Sequence, residues 1–265
     1  MDDYCPKGAL KGEHGLSYWI DSGETRILFD TGQTGALVDN ARRLGLDLSS
    51  LDAVVLSHGH YDHCGGLSAL YDAIAPAKPP LFAGTGYARP KLSRTKDGVS
   101  YIGIPEPSHP GLIPAATEID SLHAWRPGFY FMPKAERLDG SVAIPRFRVM
   151  DDGVERLDEF DDELSLLIDG KDGLILITGC AHRGILNIAD VACLILPGRP
   201  IAALVGGFHL SGLPDDRLAV VAQGIHTLAP RRVLCGHCTG TRGFAALCAK
   251  PLNLAWLACG MRVDL

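Results

Sequence analysis

Three histidines and an aspartate fall within six positions of the stretch Ser57-His58-Gly59-His60-Tyr61-Asp62-His63-Cys64-Gly65-Gly66. This stretch follows the apolar run Ala53–Leu56, which predicts a short buried strand. A hydrophobic core has no use for so many titratable side chains in one loop. Imidazole and carboxylate groups are the ligands that zinc, iron and manganese accept in proteins. The stretch therefore predicts a metal site at the end of a strand.

The spacing of these side chains predicts how they are shared between ions. His58 and His60 are two residues apart, so a turn that leaves a strand can aim both imidazoles at one ion. Asp62 and His63 follow at once and can face a second ion. A solvated histidine-rich loop would not account for Gly65-Gly66, which lets another backbone segment approach closely and lets a helix begin.

Composition limits the class of protein. The chain has 265 residues, a net charge of -6 and a pI near 5.9, which argues against nucleic acid as the main partner. There is no signal-peptide pattern and no apolar run of membrane-spanning length, so we expect a cytoplasmic protein that does not bind a membrane. The eight cysteines are scattered, and Cys235-Gly-His-Cys238 lacks the second pair that a structural zinc site needs.

The order of predicted elements is repeated in the two halves of the chain. Each half begins with a hairpin, continues with a helix, and reaches an apolar strand that ends near histidine. The segments Ile20–Gly32 and Ile168–Gly179 also resemble each other in sequence. We therefore expect a single α/β (α+β) domain over residues 1–265, built from two similar halves as a four-layer αββα sandwich. Hairpins are predicted at 16–29 and 164–177, further strands at 53–56, 80–83, 201–205 and 232–234, and helices at 35–46, 66–75, 184–196, 215–228 and 243–249.

Residues 84–160 interrupt this repeat. The segment is rich in proline, glycine and aromatic residues, and we interpret it as a long lid or insertion. Its basic residues can neutralise a phosphate group on a substrate, although solvated surface charges are an equal alternative. The candidates for substrate binding are Lys91, Arg94 and Arg146.

The pattern His58-x-His60-x-Asp62-His63 after an apolar strand resembles the metal motif of the metallo-β-lactamase superfamily. Leu28-Phe29-Asp30-Thr31-Gly32 is similar to the first motif of that superfamily, whose aspartate orients the histidine loop. The branch that fits best contains metal-dependent hydrolases and 7,8-dihydropterin-6-yl-methyl-4-(β-D-ribofuranosyl)aminobenzene 5′-phosphate synthases. That branch usually has another strand before Glu-His-Gly, so we expect a shortened start here. Further segments that carry the resemblance are Glu13–Ser17, Tyr101–Pro105, Thr178–Ile185, Gly206–Leu210 and Gly236–Gly240.

The resemblance implies the remaining metal ligands. Other members place a bridging aspartate after Thr-Gly, where this chain has Cys180, so either Cys180 is a ligand or His182 takes over. His237 matches the last ligand, and His209 is either a ligand or a contact of the substrate. The implied set is His58, His60 and His182 at one metal, and Asp62, His63 and His237 at the other, with Asp30 in support and His14 near the mouth of the site.

Two divalent ions held in this way would activate a water molecule. We therefore expect a hydrolase of an ester, lactone or phosphoester-type small molecule, with Asp62 as a ligand and proton acceptor. Zinc is the first choice of metal, with manganese and iron as alternatives. A synthase or transferase acting on a phosphorylated pterin-type substrate is the second candidate. A di-iron redox protein would place a glutamate at His60, and a non-catalytic sensor would have lost ligands that this chain retains. The sequence does not predict the oligomeric state.

Overall fold

The structure is a computed structural model that describes residues 1–106, 109–137 and 143–265. The strands are β1 Tyr18–Asp21, β2 Arg26–Phe29, β3 Ala53–Leu56, β4 Leu81–Gly84, β5 Lys91–Thr95, β6 Gly98–Tyr101, β7 Thr117–Ile119, β8 His123–Arg126, β9 Phe129–Pro133, β10 Phe147–Asp151, β11 Val154–Leu157, β12 Leu164–Gly170, β13 Gly173–Ile177, β14 Ile201–Gly207, β15 Arg232–Gly236 and β16 Leu254–Trp256. The helices are α1 Ala36–Leu44, α2 Tyr61–Cys64, α3 Leu67–Ile74, α4 Ile185–Ile195, α5 Asp215–Leu228 and α6 Gly240–Cys248.

The chain divides into two compact units. Unit 1 comprises Met1–Asp120, Ala143–Asp162 and Ala258–Gly260. Unit 2 comprises Ser121–Val142, Glu163–Leu257 and Met261–Leu265.

The main sheet of unit 1 has the strand order β1-β2-β3-β4-β7. The predicted hairpin β1–β2 is antiparallel, with Tyr18 opposite Phe29, and the remaining neighbours are parallel. Parallel strands covered on both faces are continuously apolar, and β3 is buried at all four positions. Because β2 and β3 are parallel, Asp30 and the histidine loop (residues 57–66) leave the sheet at the same edge.

A second sheet of unit 1 has the strand order β11-β10-β5-β6 and is antiparallel throughout. Its four strands come from the segment 84–160, where the sequence predicted a long loop. Residues 107–108 and 138–142 of that segment lie outside the described residues. The role of the segment as a lid stays a prediction.

The sheet of unit 2 has the strand order β16-β15-β14-β13-β12-β9-β8. The predicted hairpin β12–β13 is antiparallel, and β13, β14, β15 and β16 are parallel neighbours. Both units therefore contain an antiparallel hairpin followed by parallel strands, which is the repeat that the sequence indicated. The predicted strand Ala53–Leu56 and helix Asp215–Leu228 have the observed bounds, whereas β16 was missed.

Each unit has its own hydrophobic core. In unit 1, apolar residues of β3 pack with α1 and α3, and α1 ends on Gly45 in the left-handed conformation (φ 71°) that favours glycine. In unit 2, β13 and β14 pack with α4 and α5. Among the described residues, no helix is both long and apolar enough to cross a bilayer.

Candidate metal centre

Asp30 organises the histidine loop in unit 1. Its carboxylate is fully buried and accepts hydrogen bonds from Ser57 N, Ser57 Oγ and His63 Nδ1, each at 2.7 Å. Ser57 Oγ lies 2.9 Å from His58 Nδ1. One buried carboxylate thus reaches both His63 and, through one hydroxyl group, His58.

These contacts determine which imidazole nitrogen atoms carry protons. An ionised carboxylate only accepts hydrogen bonds, so His63 Nδ1 donates to Asp30. Ser57 has a single hydroxyl proton and gives it to Asp30, so its oxygen accepts the proton of His58 Nδ1. Nδ1 of each histidine is engaged in this way, so that in a neutral imidazole Nε2 is the nitrogen whose lone pair faces away from the network. Carboxylates commonly orient metal-binding histidines in this way.

The other side chains of the loop lie close to this network. Ring centroids are 4.5 Å apart for His58 and His60, and 4.2 Å apart for His58 and His63. Asp62 is buried, and its Oδ2 lies 3.6 Å from His63 Nε2 and 3.5 Å from His14 Nε2. His14 also contacts the carboxylate of Asp3 at 3.1 Å through Nδ1. The structure thus brings the four predicted loop ligands and His14 together within unit 1.

The glycine pair after the loop permits the close approach that the sequence indicated. A Cβ atom at Gly65 would lie 2.2 Å from the carbonyl oxygen of Gln33, and one at Gly66 would lie 2.2 Å from that of Thr31. Any larger residue would displace the backbone on which the loop rests.

Unit 2 gathers a second group of candidate ligands, the strand-end cluster. β13, β14 and β15 are parallel, so the residues that follow them meet at the carboxyl edge of the sheet. Ligand atoms of Cys180, His182 and His209 lie within 4.8 Å of one another, as do those of Cys180, His237 and Cys238. The cluster consists of Cys180, His182, His209, His237 and Cys238.

Backbone conformation and a carboxylate support this cluster. His209 and His237 adopt positive φ angles of 46° and 49°, which L-residues seldom adopt outside functional or tightly constrained sites. Glu163 accepts hydrogen bonds from the backbone amides of His182 (2.5 Å) and Arg183 (3.0 Å).

The thiol of Cys238 is strongly perturbed. Burial raises the pKa of Cys238, but the hydrogen bonds with Cys180 and His209 and the nearby charges of His237 and His209 outweigh burial and hold the pKa well below its ordinary value. Cys180 is buried beside the histidine nitrogens, and its two predicted roles, ligand or bystander, both stay open.

The three predicted phosphate-binding residues lie in different environments. Arg146 is exposed, and its guanidinium group stacks on Phe147 at 4.6 Å. Arg94 pairs with Glu155. Lys91 is buried between Asp158 and Asp162, so the expectation of an accessible phosphate ligand at Lys91 needs correction. Burial lowers the pKa of Lys91, but the charges of Asp162 and Asp158 outweigh it and raise the pKa above its usual value.

The sequence did not indicate several supporting residues. Ser57 lay inside the quoted stretch but was not assigned a role. Asp158, Asp162 and Glu163 belong to the charged run Asp158–Glu163, a pattern typical of a solvated surface, yet these three side chains are buried. Their burial depends on contacts with residues far away in the chain, which local sequence patterns do not indicate.

The donors of both units suit divalent metal ions. Neutral imidazole and thiolate groups favour zinc, and the buried carboxylate of Asp62 adds the charge that zinc, manganese or iron all accept. The supporting carboxylate at His63 matches what metal-binding histidines normally have.

Comparisons with known proteins agree with this chemistry. A family model described as the metallo-β-lactamase superfamily matches residues 10–182. A 7,8-dihydropterin-6-methyl-4-(β-D-ribofuranosyl)-aminobenzene-5′-phosphate synthase of Methanocaldococcus jannaschii is 28% identical over 250 residues, which are 86% of this chain and 81% of that protein. The uncharacterized protein MJ0448 of the same organism is 31% identical over 248 residues, 89% of this chain and 87% of that protein.

A solved structure shows the same fold. Tm1679, described as a metal-dependent hydrolase of the β-lactamase superfamily, is 29% identical, has a TM-score of 0.86, and covers 100% of this chain and 96% of its own. Together with the family match, this structure confirms the predicted mixed α/β fold of the metallo-β-lactamase type.

Proposed function

This chain belongs to the metallo-β-lactamase superfamily, and we propose that it is a metal-dependent hydrolase with two divalent ions. In this scheme His58, His60 and His182 hold one ion. Asp62, His63 and His237 hold the other. The ligand set comes from the family resemblance, and the arrangement within each unit supports it.

The hydrogen-bond chain from Asp30 through Ser57 carries the proposal. It engages Nδ1 of both His58 and His63, so that in the neutral imidazoles Nε2 would supply the lone pair that a metal ligand requires. A histidine loop without function would not need a fully buried carboxylate to fix its tautomers. Zinc is the metal that we propose, because the proposed ligands are mainly imidazoles, which zinc accepts readily.

Bound divalent ions would polarise a carbonyl or phosphoryl oxygen and lower the pKa of a water molecule. Asp62 would act as ligand and proton acceptor, since its carboxylate lies beside His63. His14, whose Nε2 lies 3.5 Å from the same Asp62 oxygen, would exchange a proton with it. His209 would serve as a further ligand or contact the substrate.

The substrate that we propose is a small ester, lactone or phosphoester. Arg146 is the best-placed basic group for a phosphorylated substrate, because it stacks on Phe147, whose ring lies 5.3 Å from that of His60. Arginine binds phosphate oxygens in a bidentate manner. The pairing of Arg94 with Glu155 makes Arg94 a weaker candidate.

A synthase that acts on a phosphorylated pterin-type substrate is the second candidate. The observation that favours it is the name of the M. jannaschii relative, which matches most of this chain at 28% identity. In that case the same metals and Arg146 would hold the phosphorylated partner while its amine nitrogen displaces a leaving group from the 6-methyl carbon of the pterin and loses a proton.

One assay separates the two candidates. The zinc-loaded protein is incubated in one arm with a phosphodiester and a lactone, each carrying a chromophoric leaving group. The other arm contains a 6-substituted dihydropterin and 4-(β-D-ribofuranosyl)aminobenzene 5′-phosphate, and mass spectrometry detects the joined product.

Hydrolysis that His60→Ala abolishes would support the hydrolase. A joined product without hydrolysis would establish the synthase instead. A protein that binds no metal and acts in neither arm would contradict both.

A further inference from the structure

A lysine is buried among carboxylates beside the histidine loop. Lys91 is only 1% exposed, and its Nζ lies 2.8 Å from Asp158 Oδ2 and 2.9 Å from Asp162 Oδ1. Removing such charges from water costs free energy unless hydrogen bonds and opposite charges compensate. We call Lys91, Asp158 and Asp162 the buried triad.

The second oxygen of each carboxylate reaches the backbone. Asp162 Oδ2 accepts a hydrogen bond of 2.8 Å from Gly59 N, the amide between His58 and His60. Asp158 Oδ1 accepts one of 2.8 Å from Phe160 N. The Lys91 ammonium group therefore orients two carboxylates, one of which holds the turn of the His-x-His pair.

Phe160 extends the contact to the imidazole rings. It adopts a positive φ of 56°, and its ring centroid lies 5.4 Å from that of His60 and 6.2 Å from that of His58. The Lys91 ammonium group lies 5.3 Å from the centroid of the same ring. Each carboxylate of the triad therefore supports a group next to the histidine pair: Asp162 supports Gly59, and Asp158 supports Phe160.

The His58-Gly59-His60 turn is packed so closely that no side chain fits at Gly59. A Cβ atom at Gly59 would lie 1.9 Å from the carbonyl oxygen of Tyr87 and 3.3 Å from Cε of Lys91. The glycine between the two histidines therefore packs against the segment that precedes β5 and against the first residue of that strand.

We propose that Lys91 is a positioning residue: through Asp162 and Asp158 it fixes the His58-Gly59-His60 turn and so sets the separation of the two imidazoles. This inference rests on the proposed function, in which both histidines bind one metal. It differs from a purely structural role, because it requires that the triad affect metal binding beyond its effect on folding.

The test measures zinc affinity by competition with a chromophoric chelator, and the d–d spectrum of the cobalt-loaded protein. Asp162→Asn keeps the shape of the side chain while weakening the acceptor for Gly59 N. We expect its zinc dissociation constant to rise roughly 10- to 100-fold, as is usual when a supporting group of a metal site is removed. The cobalt spectrum of the folded protein should shift, whereas a purely structural role would lower the melting temperature of the metal-free protein and leave that spectrum unchanged. Lys91→Met should have the same spectroscopic effect.

The control is Glu155→Gln, which removes a carboxylate from an ion cluster on the same sheet as Lys91. It should leave both the affinity and the spectrum unchanged.

Each outcome bears on one claim. A wild-type protein that binds neither zinc nor cobalt would overturn the proposed function and this inference with it. If the wild type binds metal and Asp162→Asn binds it with the same affinity and spectrum, the inference alone is overturned. If neither variant folds without metal, the triad is a requirement of the fold, and the positioning role is again overturned.

Discussion

The histidine loop of unit 1 and the strand-end cluster of unit 2 present the same imidazole chemistry with different support. In the loop, side chains support side chains: Asp30 and Ser57 hold His58 and His63 through buried hydrogen bonds. In the cluster, His209 and His237 have positive φ angles, thiols lie beside the histidines, and the Glu163 carboxylate accepts hydrogen bonds from backbone amides. Both groups follow parallel strands. Backbone geometry contributes in both regions, since Asp30 also has a positive φ of 61°. The difference lies in the carboxylates: Asp30 contacts the imidazole of His63, whereas Glu163 accepts hydrogen bonds from the backbone amide of His182.

Replacing a loop ligand should have the largest effect. We expect His60→Ala to lower metal content and to reduce turnover by at least about 100-fold, because a lost ligand costs more than a lost supporting group. Mass spectrometric metal analysis and a turnover assay test this. His109→Ala is the control, since His109 is an exposed histidine of the same unit that contacts Asp72. Full activity in His60→Ala would refute the ligand scheme.

Neutralising one carboxylate in each unit would sharpen the comparison. Asp30→Asn should weaken zinc binding roughly 10- to 100-fold, because an amide cannot accept all three hydrogen bonds that the carboxylate accepts. It should also lower the free energy of unfolding by about 1–3 kcal/mol, the usual cost of a buried unpaired polar group.

Glu163→Gln is the matched variant in unit 2. Its hydrogen bonds described above end on backbone amides, so we expect a comparable loss of stability with a smaller change in zinc affinity. Urea denaturation and chelator competition measure the two quantities. Equal affinity losses in both variants would remove the distinction between the two kinds of support.

Glycine substitutions compare how tightly each region is packed. A Cβ atom at Gly59 meets the backbone oxygen of Tyr87 at 1.9 Å, whereas one at Gly207 meets Sγ of Cys238 at 2.5 Å and the backbone oxygen of Gly179 at 2.9 Å. Because the overlap with backbone is deeper at Gly59, Gly59→Ala should destabilise the protein by about 1–3 kcal/mol and Gly207→Ala by less. Gly8→Ala, with nothing within 4 Å of its Cβ, is the control for denaturation midpoints. A larger loss at Gly207 than at Gly59 would reverse the expected order.

The smallest effect should come from Glu155, a half-buried carboxylate. Hydrogen bonding to Arg94, together with Arg148, lowers the pKa of Glu155 from 4.5 to about 2. Its contribution to stability is therefore present above pH 4.5 and is lost as the pH falls through about 2. Wild type and Glu155→Gln should differ slightly in melting temperature at pH 6, and the difference should vanish near pH 2. A difference that grows on acidification would contradict this sign.

The sequence predicted much of the fold because local patterns determined it. The buried strand Ala53–Leu56 and the helix Asp215–Leu228 each carried a clear hydrophobic period or an apolar run. The strands of the 84–160 segment were missed, because β5 and β6 are mostly half-buried or exposed and β5 pairs with distant β10. Pairing across more than fifty residues leaves no local signal.

The candidate site shows the same limit. The histidine loop was predicted because its ligands are adjacent in the chain. Asp162, which holds Gly59 N, lies in a charged run that is typical of a solvated surface, and its burial depends on Lys91. Supporting contacts of this kind depend on tertiary structure, so a single sequence does not reveal them.

The most direct test of the central claim is a metal titration of the purified, metal-free wild-type protein, with bound zinc, manganese and iron counted by mass spectrometry. The side-chain network around Asp30 and the strand-end cluster predict that about two ions, preferentially zinc, bind per chain. A protein that retains no ion under any loading condition would contradict the assignment of the histidine loop as a metal site.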